Sequence, residues 1–174
     1  MAVDIATVRL AGEWWRQLPA GLDPGRRPDP PRDARWQRGE VVDAVYLADS
    51  PETAWAEWYR WLAKAGVPSR AGLPRALWRV EVGVERVADL RTPEALEAVG
   101  LAEPRPDRGE WPRFQRVGEQ LHADGLAAIV APSAARGGGL VLCVFWPLAE
   151  SGELRWRLDE TVAEGPLVPR GLRT

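Results

Sequence analysis

The sequence predicts an α+β fold, with mixed or antiparallel sheets flanked by helices in a single domain over residues 1–174. Short apolar runs of strand length recur along the chain, and helical patterns separate only some of them. Their order therefore lacks the regular strand–helix–strand alternation that is typical of a parallel sheet. With 174 residues, the chain is long enough for one domain with a substantial core.

The clearest local pattern is a strand followed by a helix. Residues 41–48 are mostly apolar and rich in β-branched side chains, which predicts a buried strand. Ser50 is then placed to cap a helix that opens at Pro51, and Gly66 is placed to end it, so a helix is predicted over residues 51–65. Its predicted apolar face consists of Ala54, Trp58, Trp61, Leu62 and Ala65.

The remaining elements follow from the strand-like and helix-like spacing of apolar residues. Strands are predicted over residues 77–82, 84–90, 126–131, 140–146 and 154–158. Helices are predicted from Thr92-Pro93 to Gly100 and from Trp111 to Gly125, with His122 as a cation near the end of the second.

Two segments are predicted to be irregular. Residues 19–34 combine prolines, glycines and charges, and either fold over a site as a lid or form a disordered linker. Residues 137–139 are three glycines without the strand and helix that flank a dinucleotide-binding loop, which favours a mobile hairpin or gate. Trp14, Trp15 and Trp36 are assigned to less regular regions, where they could stack on a base or contact a partner.

Composition excludes several classes of function. The chain has 23 basic and 25 acidic residues, so it lacks the broad positive charge that direct binding to nucleic acid or anionic membranes requires. Cys143 is the only cysteine and His122 the only histidine, which disfavours a disulfide and a metal site. The N-terminus does not resemble a signal peptide and no apolar run reaches bilayer-spanning length, so a cytoplasmic location is expected.

Arg35, Tyr46 and Glu57 follow one another at two successive spacings of eleven residues, from a loop through a strand into a helix. A guanidinium can bind a pair of phosphate oxygens, an aromatic ring can line a pocket, and a carboxylate can stabilise a cationic ribose. Ser133, at the end of a predicted strand, adds a small hydroxyl that can orient a ligand.

Each of these residues also has a purely structural interpretation. Glu57 could pair with Arg60 one helical turn later, and Arg35 could be a solvated loop arginine. Tyr46 could be a core aromatic with a satisfied hydroxyl, and Ser133 a turn serine. The residues themselves leave both interpretations open.

Four segments, ARW, VYLADSPETAWAEW, FQRVGEQLHADGLAAIVAPSAA and LVLCVFWPL, resemble those of the RES-domain family, which is named for its arginine, glutamate and serine. The resemblance implies an ADP-ribosyltransferase-like core, with Arg35, Glu57 and Ser133 as catalytic residues. It also implies that Tyr46 and Arg9 bind the substrate. The sequence departs from the family pattern on both sides of Arg35, where Ala34 and Gln37 replace the usual glycine and asparagine or histidine.

The resemblance further implies a toxin that depletes NAD by cleaving the nicotinamide–ribose bond, as a glycohydrolase or a phosphorylase. NAD is then a substrate, and no cofactor or metal is expected. The expected protein partner is a helix-turn-helix antitoxin of the Xre type, and a homo-oligomer is left open. Two alternatives remain: an ADP-ribosyltransferase that modifies a macromolecule, and a catalytically silent binding module.

Overall fold

The computed structural model describes residues 5–25, 28–146 and 154–174. These ranges form a mixed α+β structure, as predicted, with one six-stranded sheet. The strands are β1 (Thr7–Pro19), β2 (Ala44–Ala48), β3 (Arg75–Asp89), β4 (Ala128–Pro132), β5 (Leu140–Phe145) and β6 (Leu154–Val162). The helices are α1 (Pro51–Ala65), α2 (Pro93–Ala98) and α3 (Trp111–Ala123), with a 3-10 turn at Ser69–Gly72.

The strand order of the sheet is β1-β2-β5-β4-β3-β6, and β1 pairs additionally with β3. These pairings form a ring of five strands, with β6 attached to the outside of β3. Only β3 and β4 run parallel among the strand pairs of the described chain. The long strand β3 therefore carries β1 along one side and β6 and β4 in turn along the other.

Strand β1 is the element that sequence reasoning missed, and the assignment of Trp14 and Trp15 to an irregular region was wrong. Both lie within β1, and Trp14 is buried in the core. The alternating pattern is interrupted at Gly12, whose φ of 132° is unfavourable for other residues, and the register shifts between Val8 and Leu10. An interrupted alternation is not recognised as a strand from the sequence.

Helix α1 has the predicted bounds. The Ser50 Oγ accepts a hydrogen bond from the Thr53 N–H at 3.1 Å, and Gly66 ends the helix with a φ of 63°. The predicted apolar face was only partly right, because Ala65 is exposed and Trp61 is 50% exposed, whereas Trp55 is buried. The buried side chains of α1 pack against Ala48 and Leu77 of the sheet. This packing holds one face of α1 over the sheet and leaves Trp61 toward solvent.

Strand β2 begins three residues later than predicted. The N–H groups of Val41 and Val42 both donate to the carbonyl of Arg38, which forms a turn where the apolar pattern predicted a strand. Val41 is consequently 50% exposed. The other predicted strands and helices are found within a few residues of their expected bounds, except that residues 77–82 and 84–90 belong to one strand, β3.

Helix α3 packs directly against the loop that carries Arg35. The Trp36 ring is fully buried and lies edge-on against Phe114 of α3, with the ring centroids 5.1 Å apart. The Trp36 backbone also contacts α3 at Gly118, where an ideal Cβ would lie 1.9 Å from the Trp36 carbonyl oxygen. The prediction that Trp36 is available to a base or a partner was therefore wrong. Only glycine permits this approach of loop to helix.

Within the described ranges, the structure contains no helix that combines the length and the apolarity needed to cross a bilayer.

Replacing Gly118 should loosen the Arg35 loop. We expect Gly118→Ala to lower the free energy of unfolding by about 1–3 kcal/mol, because overpacking against a backbone carbonyl exceeds the gain in helix propensity of about 1 kcal/mol. Urea denaturation measures the difference. Gly83→Ala is the control, since an ideal Cβ there meets nothing within 4 Å. Equal stability of the two variants would show that the loop does not depend on this contact.

Candidate active site

A cavity of about 590 Å³ lies between α1, β2, the first residue of β3, the end of β1 and the Arg35 loop. Its wall includes residues from the irregular segment 19–34, because Arg32 and Ala34 both line it. The side chain of Arg16 on β1 donates a hydrogen bond to the Pro24 carbonyl at 2.7 Å. The segment thus contacts the sheet at Pro24 and contributes Arg32 and Ala34 to one side of the cavity.

The charges on the cavity wall are strongly asymmetric. Among the described residues, the wall contains five arginines and a single carboxylate, that of Glu57. The arginines are Arg16, Arg32, Arg35, Arg60 and Arg75. The aromatic residues are Trp15, Trp36, Tyr46, Trp58, Trp61 and Trp111. Such a surface suits a ligand that combines anionic groups with flat rings.

Arg35 is buried, with 7% of its surface exposed. Its Nη2 donates to the carbonyl of Arg105, and its Nη1 lies 3.6 Å from a carboxylate oxygen of Glu110. The guanidinium carbon lies 4.9 Å from the centroid of the Phe114 ring. Burial, reinforced by the positive charge of Arg60, lowers the pKa of Arg35. Its Nη1 is buried and, apart from the ion pair with Glu110, has no hydrogen-bond partner in the described chain.

Tyr46 fixes the shape of the Arg35 loop. Its hydroxyl donates to the Gln37 side-chain oxygen and accepts from the Trp36 N–H at 3.1 Å. The Gln115 side chain adds a hydrogen bond to the Ala34 carbonyl at 2.9 Å. Burial raises the pKa of Tyr46 well above its ordinary value, so its hydroxyl stays protonated. The structural interpretation of Tyr46 is thus confirmed; Tyr46 also lines the cavity, and its role in binding a ligand stays a prediction.

Glu57 lies on α1 at the cavity wall, with about 30% of its side chain exposed. Its Oε1 accepts a hydrogen bond from the Ser133 hydroxyl at 2.8 Å. Its Oε2 lies 3.6 Å from the Arg60 Nε, so the ion pair expected along the helix is also present. The carboxylate is thus held from two sides and presents its remaining surface to the cavity.

Ser133 is buried, and all the hydrogen-bonding capacity of its hydroxyl is used within the protein. The hydroxyl donates to Glu57 and accepts from the N–H groups of Ala135 and Arg136 at 3.1 and 3.2 Å. It is therefore a turn serine, as one interpretation predicted, and it also holds the carboxylate of Glu57. Its neighbours Pro132 and Ala134 line the cavity.

The C-terminal segment holds the turn that carries Ser133. The Arg173 N–H donates to the Ala135 carbonyl at 2.7 Å, and the Gly137 N–H donates to the Gly171 carbonyl at 3.0 Å. The side chain of Arg136 donates to the Arg170 carbonyl at 3.2 Å. The glycine segment 137–139 lies, as predicted, in the hairpin connection between the antiparallel strands β4 and β5, and Gly137 is hydrogen-bonded to this tail. Its mobility stays a prediction.

The structure brings Arg35, Tyr46 and Glu57 to the wall of one cavity, and Ser133 contacts this group through its hydrogen bond to Glu57. It does not bring Arg9 there. Arg9 forms an exposed ion pair with Glu85 at 3.1 Å, about six residues along β1 from the first cavity-lining residue of that strand. At about 3.3 Å per residue, this separation is about 20 Å.

Sequence reasoning missed two cavity residues with distinctive environments. Arg75, at the start of β3, is 8% exposed, and its guanidinium carbon lies 5.5 Å from the centroid of the Trp58 ring. Trp111, the first residue of α3, also lines the cavity. Arg75 follows a Gly-Leu-Pro segment and precedes an alternating strand, a position that resembles any strand-edge arginine. No signal in the sequence distinguishes it.

The described part of the chain holds no cluster of three or more side chains of the metal-binding types His, Cys, Asp and Glu. Cys143 is fully buried, and burial raises the pKa of its thiol to about 12. A thiol with this pKa is almost wholly protonated at neutral pH and is a poor nucleophile. Covalent chemistry at Cys143 is therefore disfavoured.

Comparison with known proteins decides the family. The family model of the RES domain matches residues 7–162. The chain belongs to the RES domain family. The assignment of the family's arginine, glutamate and serine to Arg35, Glu57 and Ser133 stays a prediction, and the structure places Ser133 and Glu57 in direct contact.

The RES domain is also similar to named proteins. It is 32% identical to the NAD(+) phosphorylase MbcT of Mycobacterium bovis and to that of Mycobacterium tuberculosis, over 125 residues. The match covers 71% of this chain and 67% of the relative. The structure resembles a chain of the crystal structure of the M. tuberculosis MbcT-MbcA toxin-antitoxin complex, with a TM-score of 0.77 and 28% identity. That similarity covers 96% of this chain and 91% of the other.

Removing the Ser133 hydroxyl should affect both stability and the position of Glu57. We expect Ser133→Ala to lower the free energy of unfolding by about 1–3 kcal/mol, because two buried N–H groups lose their acceptor. Thermal and urea denaturation measure the change. Ser69→Ala, on the 3-10 turn, is the matched control. A Ser133→Ala variant as stable as the control would mean that the turn satisfies these N–H groups without the hydroxyl.

Proposed function

We propose that this RES domain is the NAD-consuming toxin of a toxin-antitoxin pair and cleaves the bond between nicotinamide and ribose. The observation that carries the proposal is the single carboxylate, Glu57, set in a cavity wall that otherwise presents arginines and aromatic rings within the described chain. NAD has two phosphates, two ribose rings and two flat bases, and it becomes cationic at one ribose when the bond breaks. The names of the relatives, which describe an NAD(+) phosphorylase and a toxin-antitoxin complex, support this assignment.

Glu57 is proposed to stabilise the positive charge that develops on the ribose in the transition state. A fixed carboxylate in a partly buried cavity does this better than water, because it does not have to reorient during the reaction. As the C–N bond breaks, its electron pair goes to the pyridinium nitrogen, and nicotinamide leaves as a neutral molecule. The leaving group therefore needs no general acid.

Arg35, which lines the cavity, is proposed to bind the pyrophosphate through its guanidinium. Tyr46 is proposed to pack against the nicotinamide-ribose, while its hydroxyl holds the Arg35 loop in place. For Ser133 we propose that the hydroxyl orients Glu57 and, through it, the nicotinamide end of the substrate. All three residues are proposed to position the substrate or Glu57, so binding energy places the scissile bond beside the carboxylate.

We propose phosphate as the acceptor of the ADP-ribosyl group, by similarity to the named phosphorylases. An oxygen of phosphate attacks the anomeric carbon and the product is a ribosyl phosphate. Water in its place gives a glycohydrolase, and a macromolecule gives an ADP-ribosyltransferase. We also propose that the mixed sheet is an ADP-ribosyltransferase-like core. NAD acts here as substrate, with no cofactor assigned.

The proposed partner is a helix-turn-helix antitoxin of the Xre type, acting in the cytoplasm. The similarity to a chain of a toxin-antitoxin complex supports a protein partner. Trp61, on α1, lines the cavity and is 50% exposed, which offers an antitoxin an aromatic anchor at the mouth. The single domain over residues 1–174 and a homo-oligomer stay predictions.

The decisive measurement is NAD turnover by wild type and Glu57→Gln, each with and without phosphate. The amide keeps the shape of the side chain but removes its charge, so we expect turnover to fall by about a hundredfold or more with little change in affinity. Products identify the acceptor: a ribosyl phosphate indicates a phosphorylase, and free ADP-ribose a glycohydrolase.

Glu52→Gln is the matched control, because Glu52 is an exposed carboxylate on the same helix. If Glu57 serves only as the ion-pair partner of Arg60, Glu57→Gln should behave like this control and keep the wild-type rate. A folded Glu57→Gln protein that consumes NAD as fast as wild type would refute the assigned role. Absence of NAD consumption by the wild type would refute the proposed function as a whole.

The antitoxin proposal predicts that a neighbouring reading frame encodes a small helix-turn-helix protein, and co-expression with that protein tests it. We expect a stable complex that restores growth, and we expect Trp61→Ala to weaken the complex by about tenfold or more, as at an aromatic hot spot. Leu158→Ala is the control, because Leu158 is exposed to a similar degree (49%) and lies on β6. Separate elution of the two wild-type proteins, with no effect on growth, would contradict the pairing.

A further inference from the structure

Arg75 is a buried arginine on the cavity wall, and none of the roles proposed above involves it. It lies at the start of β3, paired with Pro19 of β1 on one side and with Val162 of β6 on the other. Only 8% of its surface is exposed. One face of the guanidinium rests on the Trp58 ring, at 5.5 Å from the centroid, which leaves its edge for hydrogen bonds.

The charge of Arg75 lacks a counterion within the described chain. No carboxylate lies within ion-pair distance of it there, and its Nε has no hydrogen-bond partner. A buried cation without a partner is costly, and an anionic ligand in the cavity would supply the missing charge. Burial lowers the pKa of Arg75 to about 10, so it remains protonated at neutral pH.

Arg75 is separate from the group formed by Arg35, Arg60 and Glu57. Burial and the charges of Arg60 and Glu57 all affect the pKa of Arg35, whereas the pKa of Arg75 is lowered by burial. The two arginines also come from different walls, since Arg35 lies in the loop against α3 and Arg75 on the sheet. Arg75 therefore contributes positive charge to the cavity from a different element of the fold than Arg35 does.

We propose that Arg75 forms a second anion subsite and binds a phosphate group, with Trp58 holding its guanidinium flat. The inference rests on the proposed function for the source of that phosphate, which is either the pyrophosphate of the dinucleotide or the free phosphate that accepts the ADP-ribosyl group. Both present tetrahedral oxygens that a guanidinium edge can bind in pairs. The kinetics distinguish the two sources.

The test compares wild type with Arg75→Met and Arg75→Lys. Methionine keeps much of the buried volume without the charge, and lysine keeps the charge without the planar fork. Arg70→Gln is the matched control, because Arg70 is exposed on the adjacent 3-10 turn and does not line the cavity. Calorimetry with ADP-ribose and with inorganic phosphate measures binding directly, and steady-state assays give the KM for NAD and for phosphate.

We expect Arg75→Met to weaken binding of one of these ligands at least tenfold, with a matching rise in its KM, and Arg75→Lys to lose less. A change confined to ADP-ribose and NAD assigns the subsite to the pyrophosphate, and one confined to inorganic phosphate assigns it to the acceptor. Wild-type affinities for both ligands in either folded variant would overturn the proposal, as would absence of binding by the wild type. Arg75-dependent binding without NAD turnover would refute only the proposed function.

Discussion

The burial of the Arg35 guanidinium is the constraint on which the site depends. A cation taken out of water is tolerated only where other groups replace its hydration. Here the Arg105 carbonyl, the Glu110 carboxylate and the face of Phe114 do so, and all three belong to α3 or to the segment that leads into it. The close contact of Gly118 with the loop backbone then fixes the distance between helix and loop. The helix thus positions the charge.

Glu57 shows why a structural and a functional interpretation need not exclude each other. Its pair with Arg60 is partly buried, with side-chain exposures of 30% and 15%, and is therefore less screened than a surface pair. The Ser133 hydroxyl holds the other carboxylate oxygen. Two restraints on one carboxylate reduce its freedom to turn, and this is the preorganisation that electrostatic stabilisation of a cation requires.

Local chemistry made much of the fold predictable. The cap at Ser50, the left-handed Gly66 and the apolar period between them determined α1 to the residue, because these signals act within the helix itself. Strand β1 could not be predicted, because its alternating pattern is broken at Gly12. The role of Arg75 could not be predicted either, because its contact with Trp58 forms only when β3 packs against α1. The contact of Ser133 with Glu57 likewise joins residues 76 positions apart.

The distribution of charge in the cavity matches what NAD cleavage demands. A bound dinucleotide carries negative charge on its pyrophosphate throughout the reaction, but it gains positive charge on one ribose only as the bond breaks. Arginines on several walls can bind the first charge in the ground state, while the single carboxylate of Glu57 gains most when the second appears. Because Arg35 is held by the Arg105 carbonyl and the Glu110 carboxylate, only Arg60 among the cavity arginines forms an ion pair with Glu57 in the described chain.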